Sequence, residues 1–490
     1  MREKEHLRRH YAAILSSVGM ILLLCSVITL SPLLVFTWRP WNPSHALAFG
    51  VPAAGLILLG AALRTMRRFA PPATLSVQEG GIVVLLGWTV VILFSSWPFM
   101  SLQGLPFSRA LFESVSGWTT TGLSVVDVAQ ADQIILLWRS VMQLAGGAGL
   151  AIIMMSAIVG PTGSGISSAE GRSDQLVPQV RRSARLVLII YGCYALCGAL
   201  AYRLTGMSVF DAVNHAFAAV STGGFSTHAD SIGHWNRVAV EAVTLPLMLL
   251  GNLSFVTAWL LWRGRFRLVA QNGEVRLLMV VIPLSAAALF LSTAQAIFPQ
   301  LDKSIRVAVF ETVSALTTTG FSTVGYGNWN AFGMMLLIGL MLVGGGTCST
   351  AGGIKQFRLY LMWKMLVWDI RRDLMPRGAV LERPLWKGDR RVFINDGEVR
   401  QAVVFIFLYL LTYALGVMLL CACGFGLGEA LFEFASALGT VGLSVGVTSA
   451  QMPDIALWGE IFAMFLGRLE FMVVIVSLLK IRRDSRWMLF

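Results

Sequence analysis

Four short segments of this chain align without gaps: Thr119-Thr120-Thr121-Gly122-Leu123-Ser124, Ser221-Thr222-Gly223-Gly224-Phe225-Ser226, Thr317-Thr318-Thr319-Gly320-Phe321-Ser322 and Gly439-Thr440-Val441-Gly442-Leu443-Ser444. Their shared glycines stand 102, 96 and 122 residues apart, the last gap being longer because a basic connection is inserted there. The likeness extends backwards. Ten residues before three of the glycines begins a Phe-Glu pair (Phe112-Glu113, Phe310-Glu311, Phe432-Glu433), and the second repeat has Asn214-His215 there. A single Thr/Gly turn is an ordinary loop in any protein. Four in matched context make a repeat, and a repeat constrains the whole fold.

Each copy lies between apolar runs long enough for a hydrocarbon layer of roughly 30 Å. Ten such runs can be drawn: 11–38, 46–63, 82–100, 134–159, 186–204, 238–262, 277–297, 331–343, 402–423 and 455–479. Hydrophobic residues make up 56% of the 490 and charged ones only 13%, about half the usual share for a soluble chain. The net charge of +12 is spread over six segments that all fall on one side of this topology, which accounts for 30 of the 38 Lys and Arg. Seven (Arg39, Arg109, Arg139, Arg203, Arg237, Lys303, Arg306) fall on the other side, and Arg468 falls inside a span. This asymmetry places both termini in the cytoplasm and argues against a nucleic-acid partner. The basic start and apolar run that follows are too long for a leader peptide and read as a retained first helix. The six cysteines lie in or beside apolar segments without a histidine cluster, and read as packing thiols.

Between each Phe-Glu pair and its glycine lies an apolar stretch of about two to three helical turns, too short to span. The order is span, half-length helix, Thr/Gly turn, span. Non-helical backbone at membrane depth is tolerated only where it is buried in protein or lines a watery cavity. Glycine permits the φ > 0 conformations that aim successive carbonyls inward, and a dehydrating cation needs a ring of such carbonyls. The short helices would turn their negative C-terminal ends toward the same path. The fold class expected is an all-α polytopic membrane protein, with four span–pore-helix–filter–span repeats around a central pore, preceded by two extra transmembrane helices. The divisions are 1–75 for the leading pair, 76–165, 166–268 and 269–372 for three repeats, 373–400 for the basic connection and 401–490 for the fourth repeat.

Three stretches carry a specific resemblance: the four Thr/Gly segments, the run Gly344-Gly345-Gly346-Thr347-Cys348-Ser349-Thr350-Ala351-Gly352-Gly353-Ile354-Lys355, and Gly467-Arg468-Leu469-Glu470. On these the chain resembles the TrkH/KtrB family of bacterial K⁺ uptake proteins, within the Trk/Ktr/HKT superfamily. The two extra leading spans make it look more like the TrkH branch. The resemblance covers nearly the whole chain and implies a multi-pass protein of the bacterial inner membrane. It implies K⁺ as the transported ion, held by a selectivity filter at Thr120, Thr121, Gly122, Thr222, Gly223, Gly224, Thr318, Thr319, Gly320, Thr440, Val441 and Gly442. In the superfamily, Gly at the key filter position goes with K⁺ selectivity, whereas Ser in the first repeat often accompanies Na⁺; here all four are Gly.

By chemistry alone the run from Gly344 to Lys355 is a poor helix and reads as a flexible re-entrant loop or a packing kink. It fails the phosphate-loop pattern, because Ile354 follows Gly353 and Gln356 follows Lys355. By resemblance it is an intramembrane gate formed by Gly344, Gly345, Gly346, Thr347, Ser349, Thr350, Gly352, Gly353 and Lys355, joined by Arg468. An Arg inside an apolar span is expected to face protein or water; the alternative to a gating role is an ion pair, for example with Glu470. Glu113, His215, Glu311 and Glu433 are expected to support the filter from behind. Asp127 and Asp211 either raise cation concentration at the outer mouth or are ordinary solvated or capping residues.

No metal cluster, nucleophile–base set or nucleotide motif is visible, so enzymatic activity and an organic cofactor are not expected. A gated, channel-like K⁺ uptake pore and a K⁺ symporter coupled to H⁺ or Na⁺ both remain open. The resemblance further implies a homodimer in membrane lipid and a cytosolic nucleotide-binding ring of the TrkA type on the basic face.

Overall fold

The computed structural model describes residues 2–37, 40–69, 75–149, 180–376, 382, 384–387 and 390–489. It opens with an antiparallel helix pair, α1 (Arg2–Leu30) and α2 (Pro43–Thr65). Asn42 starts α2 by accepting the Ser44 amide proton at 3.0 Å, and Pro43 supplies a φ already suited to the first turn. The pair meets on glycine. A Cβ on Gly19 would lie 2.6 Å from the Gly60 carbonyl oxygen, and one on Gly60 would lie 2.9 Å from that of Gly19. Backbones approach this closely only over small residues.

The first repeat comprises α3 (Val77–Ser95), the half-length α4 (Phe107–Trp118) and α5 (Gln133–Gly147). A capping box starts α3: Ser76 Oγ accepts from the Glu79 amide at 3.3 Å, and Glu79 accepts from the Ser76 amide at 2.8 Å. The second repeat runs through α6 (Val180–Leu204), α7 (Val209–Val220) and α8 (Val238–Asn252), then α9 (Phe255–Trp262). In the third, α10 (Gly273–Leu289) continues through a π turn to Ile297, followed by α11 (Leu301–Leu316), α12 (Ala331–Val343) and α13 (Gln356–Asp373). A two-stranded antiparallel hairpin, β1 (Pro384–Lys387) and β2 (Arg390–Phe393), pairs Trp386 with Arg391. The fourth repeat is α14 (Asp396–Ala422), α15 (Leu427–Gly439), α16 (Asp454–Leu469) and α17 (Phe471–Leu489).

Among the described residues, six helices are long and apolar enough to cross a membrane, or eight if two bent pairs each count as one span. The ten straight spans expected from hydropathy need correction. The run 238–262 turns by 118° between α8 and α9, and the run 455–479 turns by 99° between α16 and α17. The run 331–343 is only α12, thirteen residues ended by the Gly344 turn. Hydropathy reports how long an apolar run is, not whether it changes direction. The far half of the run 134–159, the boundary expected between 165 and 166, and Arg39 and Arg172 lie outside the described residues.

The repeats close on one another. The helix after each turn packs against the half-length helix of the next repeat: α5 on α7, α8 on α11, α12 on α15, and α16 back on α4. Every half-length helix is thereby surrounded, and its central side chains are buried.

The glycine contact in the leading pair sets a prediction. Gly60→Leu should lower the thermal unfolding midpoint in detergent, at a cost of about 1–3 kcal/mol for overpacking. Gly50→Leu, where nothing lies within 4 Å, should leave the midpoint unchanged.

Candidate functional site

The four Thr/Gly turns share one backbone geometry. Each half-length helix ends at the turn, and the next threonine swings to positive φ: 56° at Thr120, 51° at Thr222, 52° at Thr318 and 50° at Thr440. A β-branched residue rarely adopts this conformation. It is held each time by one hydrogen bond from the following amide back into the helix: Thr121 to Ser116 at 2.9 Å, Gly223 to Ala218 at 2.9 Å, Thr319 to Ser314 at 3.0 Å and Val441 to Ser436 at 2.9 Å. The glycines then take φ of 97°, 72°, 79° and 100°.

The turns meet in a closed ring. A Cβ on Gly122 would run into the carbonyl oxygen of Gly223, one on Gly224 into that of Thr319, one on Gly320 into that of Val441, and one on Gly442 into that of Thr121. Each glycine therefore admits the neighbouring repeat's carbonyl. With four helix C-termini ending at the ring, the local field favours a cation.

Behind the ring stand the residues of the Phe-Glu positions, all buried. Glu113 accepts from Ser124 Oγ at 3.0 Å, the Val125 amide at 3.1 Å and Arg139 Nε at 2.7 Å. Glu311 accepts from the Thr323 amide and hydroxyl, each at 2.8 Å, and from the Tyr326 hydroxyl at 2.6 Å. Glu433 accepts from Ser444 Oγ at 2.7 Å and from the amides of Val445 and Thr448, each at 3.0 Å. His215 donates from Nδ1 to the Asp211 carbonyl at 2.8 Å and sets Nε2 3.0 Å from Ser226 Oγ. In every repeat this group ties the segment leaving the turn to the helix entering it. Arg139 is not the outward loop charge expected from charge counting. It lies buried in α5, pairs with Glu113, donates to the Ser226 carbonyl at 3.2 Å and covers the Phe225 ring at 3.9 Å.

On one side the ring opens into a cavity of about 870 Å³ lined by all four glycines, together with Asp127, Arg139, Lys303 and Tyr326. Asp127 thus reaches the vestibule. Asp211 instead accepts from Ser208 Oγ at 2.7 Å and Thr227 Oγ1 at 2.6 Å at the start of α7.

On the other side lies the loop from Gly344 to Lys355. The loop leaves α12 with Gly344 at φ 68° and re-enters α13 with Lys355 at φ 83°. Its own bonds join the Gly345 amide to the Gly352 carbonyl at 3.0 Å and the Ile354 amide to the Leu342 carbonyl at 3.1 Å, and Lys355 Nζ reaches the Ala351 carbonyl. Ser349 Oγ donates to the Gly346 carbonyl at 2.6 Å, and the Thr347 amide donates to Glu274 at 2.7 Å. A Cβ on Gly353 would lie 2.5 Å from Gly344 Cα, so the two ends of the loop must both be glycine. The loop reaches the foot of the ring directly. The Gly352 amide donates to Thr318 Oγ1 at 2.8 Å, and Thr350 Oγ1 lies 3.0 Å from Thr222 Oγ1. The hydroxyls of Thr120 and Thr440 are buried without a hydrogen-bond partner among the described residues.

Arg468 ties this loop to the first repeat, donating to the Thr350 carbonyl at 2.6 Å and the Gly146 carbonyl at 2.7 Å. The ion pair considered from sequence forms elsewhere: Glu470 binds Arg358 of α13 at 2.9 Å, and that guanidinium covers the Phe405 ring at 3.7 Å. Sequence reading missed Gln143, whose buried amide reaches the second turn. It also missed the breaks at Asn252-Leu253 and Glu470; a Gly-Asn pair and a Gly-Arg pair inside apolar runs were the available signals.

Apolar spans wrapped around a ring of re-entrant turns are the architecture of a membrane cation transporter rather than an enzyme, and the comparisons agree. A family model described as TrkH, cation transport protein, matches residues 53–488. The chain belongs to the TrkH family of cation transport proteins. It is 31% identical over 484 residues to the Trk system potassium uptake protein TrkH of Halomonas elongata, covering 94% of this chain and 97% of that one. It is 29% identical over 476 residues to an uncharacterized cation transporter of Methanocaldococcus jannaschii, covering 96% and 95%. The crystal structure of the potassium transporter TrkH from Vibrio parahaemolyticus superposes with a TM-score of 0.82 at 27% identity, covering 95% of this chain and 98% of that one.

The buried Glu113–Arg139 pair sets a second prediction. Glu113→Ala should destabilise the protein by about 3–5 kcal/mol, because it strands a buried guanidinium. Combining Glu113→Leu with Arg139→Met should recover only part of that loss in thermal unfolding, because the Val125 amide and Ser124 hydroxyl lose their acceptor.

Proposed function

We propose that this chain takes up K⁺ through a gated, channel-like pore driven by the electrochemical gradient. The observation that carries the reading is the closed ring, in which each filter glycine receives the carbonyl of the next repeat. In it, the twelve residues from Thr120 to Gly122, Thr222 to Gly224, Thr318 to Gly320 and Thr440 to Gly442 form the filter. Glu113, His215, Glu311 and Glu433 stiffen the filter from behind. The loop from Gly344 to Lys355 is the gate. It spans the foot of the ring, and Arg468 pins it while placing positive charge on the cation path.

The orientation follows from the charge asymmetry: an inner-membrane protein with both termini and the β1–β2 connection in the cytoplasm. The divisions 1–75, 76–165, 166–268, 269–372, 373–400 and 401–490 belong to the same proposal. So do a homodimer in the lipid and a TrkA-type cytosolic ring on the basic face; the relatives' designation as parts of a Trk system supports a further component.

One observation favours the alternative, symport with H⁺ or Na⁺. Glu460 of α16 is buried, one of its carboxylate oxygens has no partner among the described residues, and the other accepts from Thr448 Oγ1 at 3.0 Å. Thr448 in turn donates its amide to Glu433, so two intramembrane carboxylates share one residue.

Ion flux in liposomes containing the purified chain, driven by a K⁺ gradient and compared with Na⁺, tests both readings. K⁺-selective flux without accompanying H⁺ or Na⁺ supports the channel. Flux that requires a second ion supports symport through a group such as Glu460. Two substitutions sharpen the reading. Gly122→Ser, which pushes a side chain against the Gly223 carbonyl, should let Na⁺ compete; an unchanged K⁺/Na⁺ ratio would remove Gly122 from the filter. Arg468→Ala, which unpins the loop, should raise basal K⁺ flux in folded protein.

A further inference from the structure

The ring departs from fourfold equivalence at one place, and two changes meet there. The residue before the key glycine is Thr121, Thr319 or Val441 in three repeats and Gly223 in the second. Its carbonyl is the one that lies against the neighbouring repeat's glycine in each case. Among the described residues, no side-chain donor reaches the carbonyls of Thr121, Thr319 or Val441. The Gly223 carbonyl accepts a hydrogen bond from Gln143 Nε2 at 2.5 Å, while Gln143 Oε1 accepts from the Phe225 amide at 3.2 Å.

Gln143 is itself the odd member of a repeat. It stands three residues before Gly146 in α5, where α8 has Met248 before Gly251, α12 has Met341 before Gly344, and α16 has Met464 before Gly467. All four side chains are buried. The two departures fit each other. A Cβ on Gly223 would lie 2.6 Å from Gln143 Oε1 and 2.7 Å from Nε2, so a threonine there would push the glutamine amide out of this position. Methionine has no donor, and beside methionine the other repeats keep Thr or Val.

Resting on the pore reading above, we propose that Gln143 is a selectivity-setting residue. Its amide polarises one of the four ring carbonyls, so that a permeating monovalent cation is held by three unshared carbonyls and one shared one. An N–H aimed at a carbonyl takes up lone-pair density and sets partial positive charge beside the ion, which lowers the ligand field of the ring. A ring of lower field favours the larger, more easily dehydrated cation. Gln143 is a positioning residue for the field rather than for the fold.

The test is K⁺ and Na⁺ flux in liposomes for the unsubstituted protein, Q143M, Q143L, G223T and the double variant Q143M/G223T. Q143M frees the Gly223 carbonyl. It should lower the half-saturating K⁺ concentration and shift the K⁺/Na⁺ ratio toward Na⁺ by about threefold or more, the scale of one hydrogen bond. Q143L removes the donor with an uncharged side chain of another shape, and should shift both quantities in the same direction. G223T should lower flux, and Q143M/G223T should restore it, which a purely structural role would not predict. Where Q143M fails to fold, Q143L decides. Selective flux in the unsubstituted protein with both quantities unchanged in folded Q143M or Q143L would overturn the assignment of Gln143 alone. No selective flux through the unsubstituted protein would overturn the pore reading, and this assignment with it.

Discussion

The rest of the structure depends on a backbone obligation. At four places the chain abandons helical hydrogen bonding in the middle of a membrane protein, and every amide and carbonyl it frees must be accounted for. The amides are satisfied locally, each turn by the same bond back into its half-length helix. The carbonyls of the ring lie against the neighbouring repeats' glycines, and that of Gly223 accepts from Gln143. Everything behind the ring meets this demand: the buried carboxylates collect the amides leaving the turns, and Arg139 balances one of those carboxylates where its own repeat meets the next. The strained threonines persist because this shell over-determines them.

The same accounting organises the side away from the vestibule. The long helix that follows each turn either stops or bends at or beside a glycine: Gly146-Gly147, Gly251-Asn252, Gly344 and Gly467. Cβ atoms on Gly251 and Gly467 would press on the carbonyls of Val220 and Leu438, the residues that close the preceding half-length helices. The glycines let the helices approach the foot of the turns, and the breaks expose backbone groups that neighbouring segments then bind. The third repeat inserts a loop at this level and gives Gly346 to the Asn252 carbonyl at 3.2 Å. The fourth contributes Arg468, whose guanidinium takes carbonyls from two other repeats. A guanidinium suits this task, because its planar fork donates in several directions at once.

Much of this was legible in the residues. The four Thr/Gly segments, the Glu or His nine places before each shared glycine, the leading helix pair and the glycine-rich run all stand where the sequence puts them. What was not legible has a common cause: it depends on partners distant in sequence. The run 238–262 is mostly apolar, so its 118° turn left only Gly251-Asn252 and the capping Ser254 as a trace. Arg139 counts as a surface charge until Glu113 is seen beside it. Glu470 looks like a partner for Arg468, two residues away, yet its backbone at φ 63° turns it toward Arg358. The β1–β2 hairpin is two strands of four residues, too short for an alternation to be read.

Carrying all four repeats on one polypeptide also changes how such a ring can vary. In an assembly of identical subunits any substitution at the filter appears on every side at once, and the smallest available step is a fourfold one. Here each quarter of the ring has its own codons. Gln143 and Gly223 could therefore change as a pair at a single seam, leaving Met248, Met341 and Met464 and their facing turns as they were. If the ring is the filter proposed above, the fold makes ligand strength around an ion adjustable one side at a time.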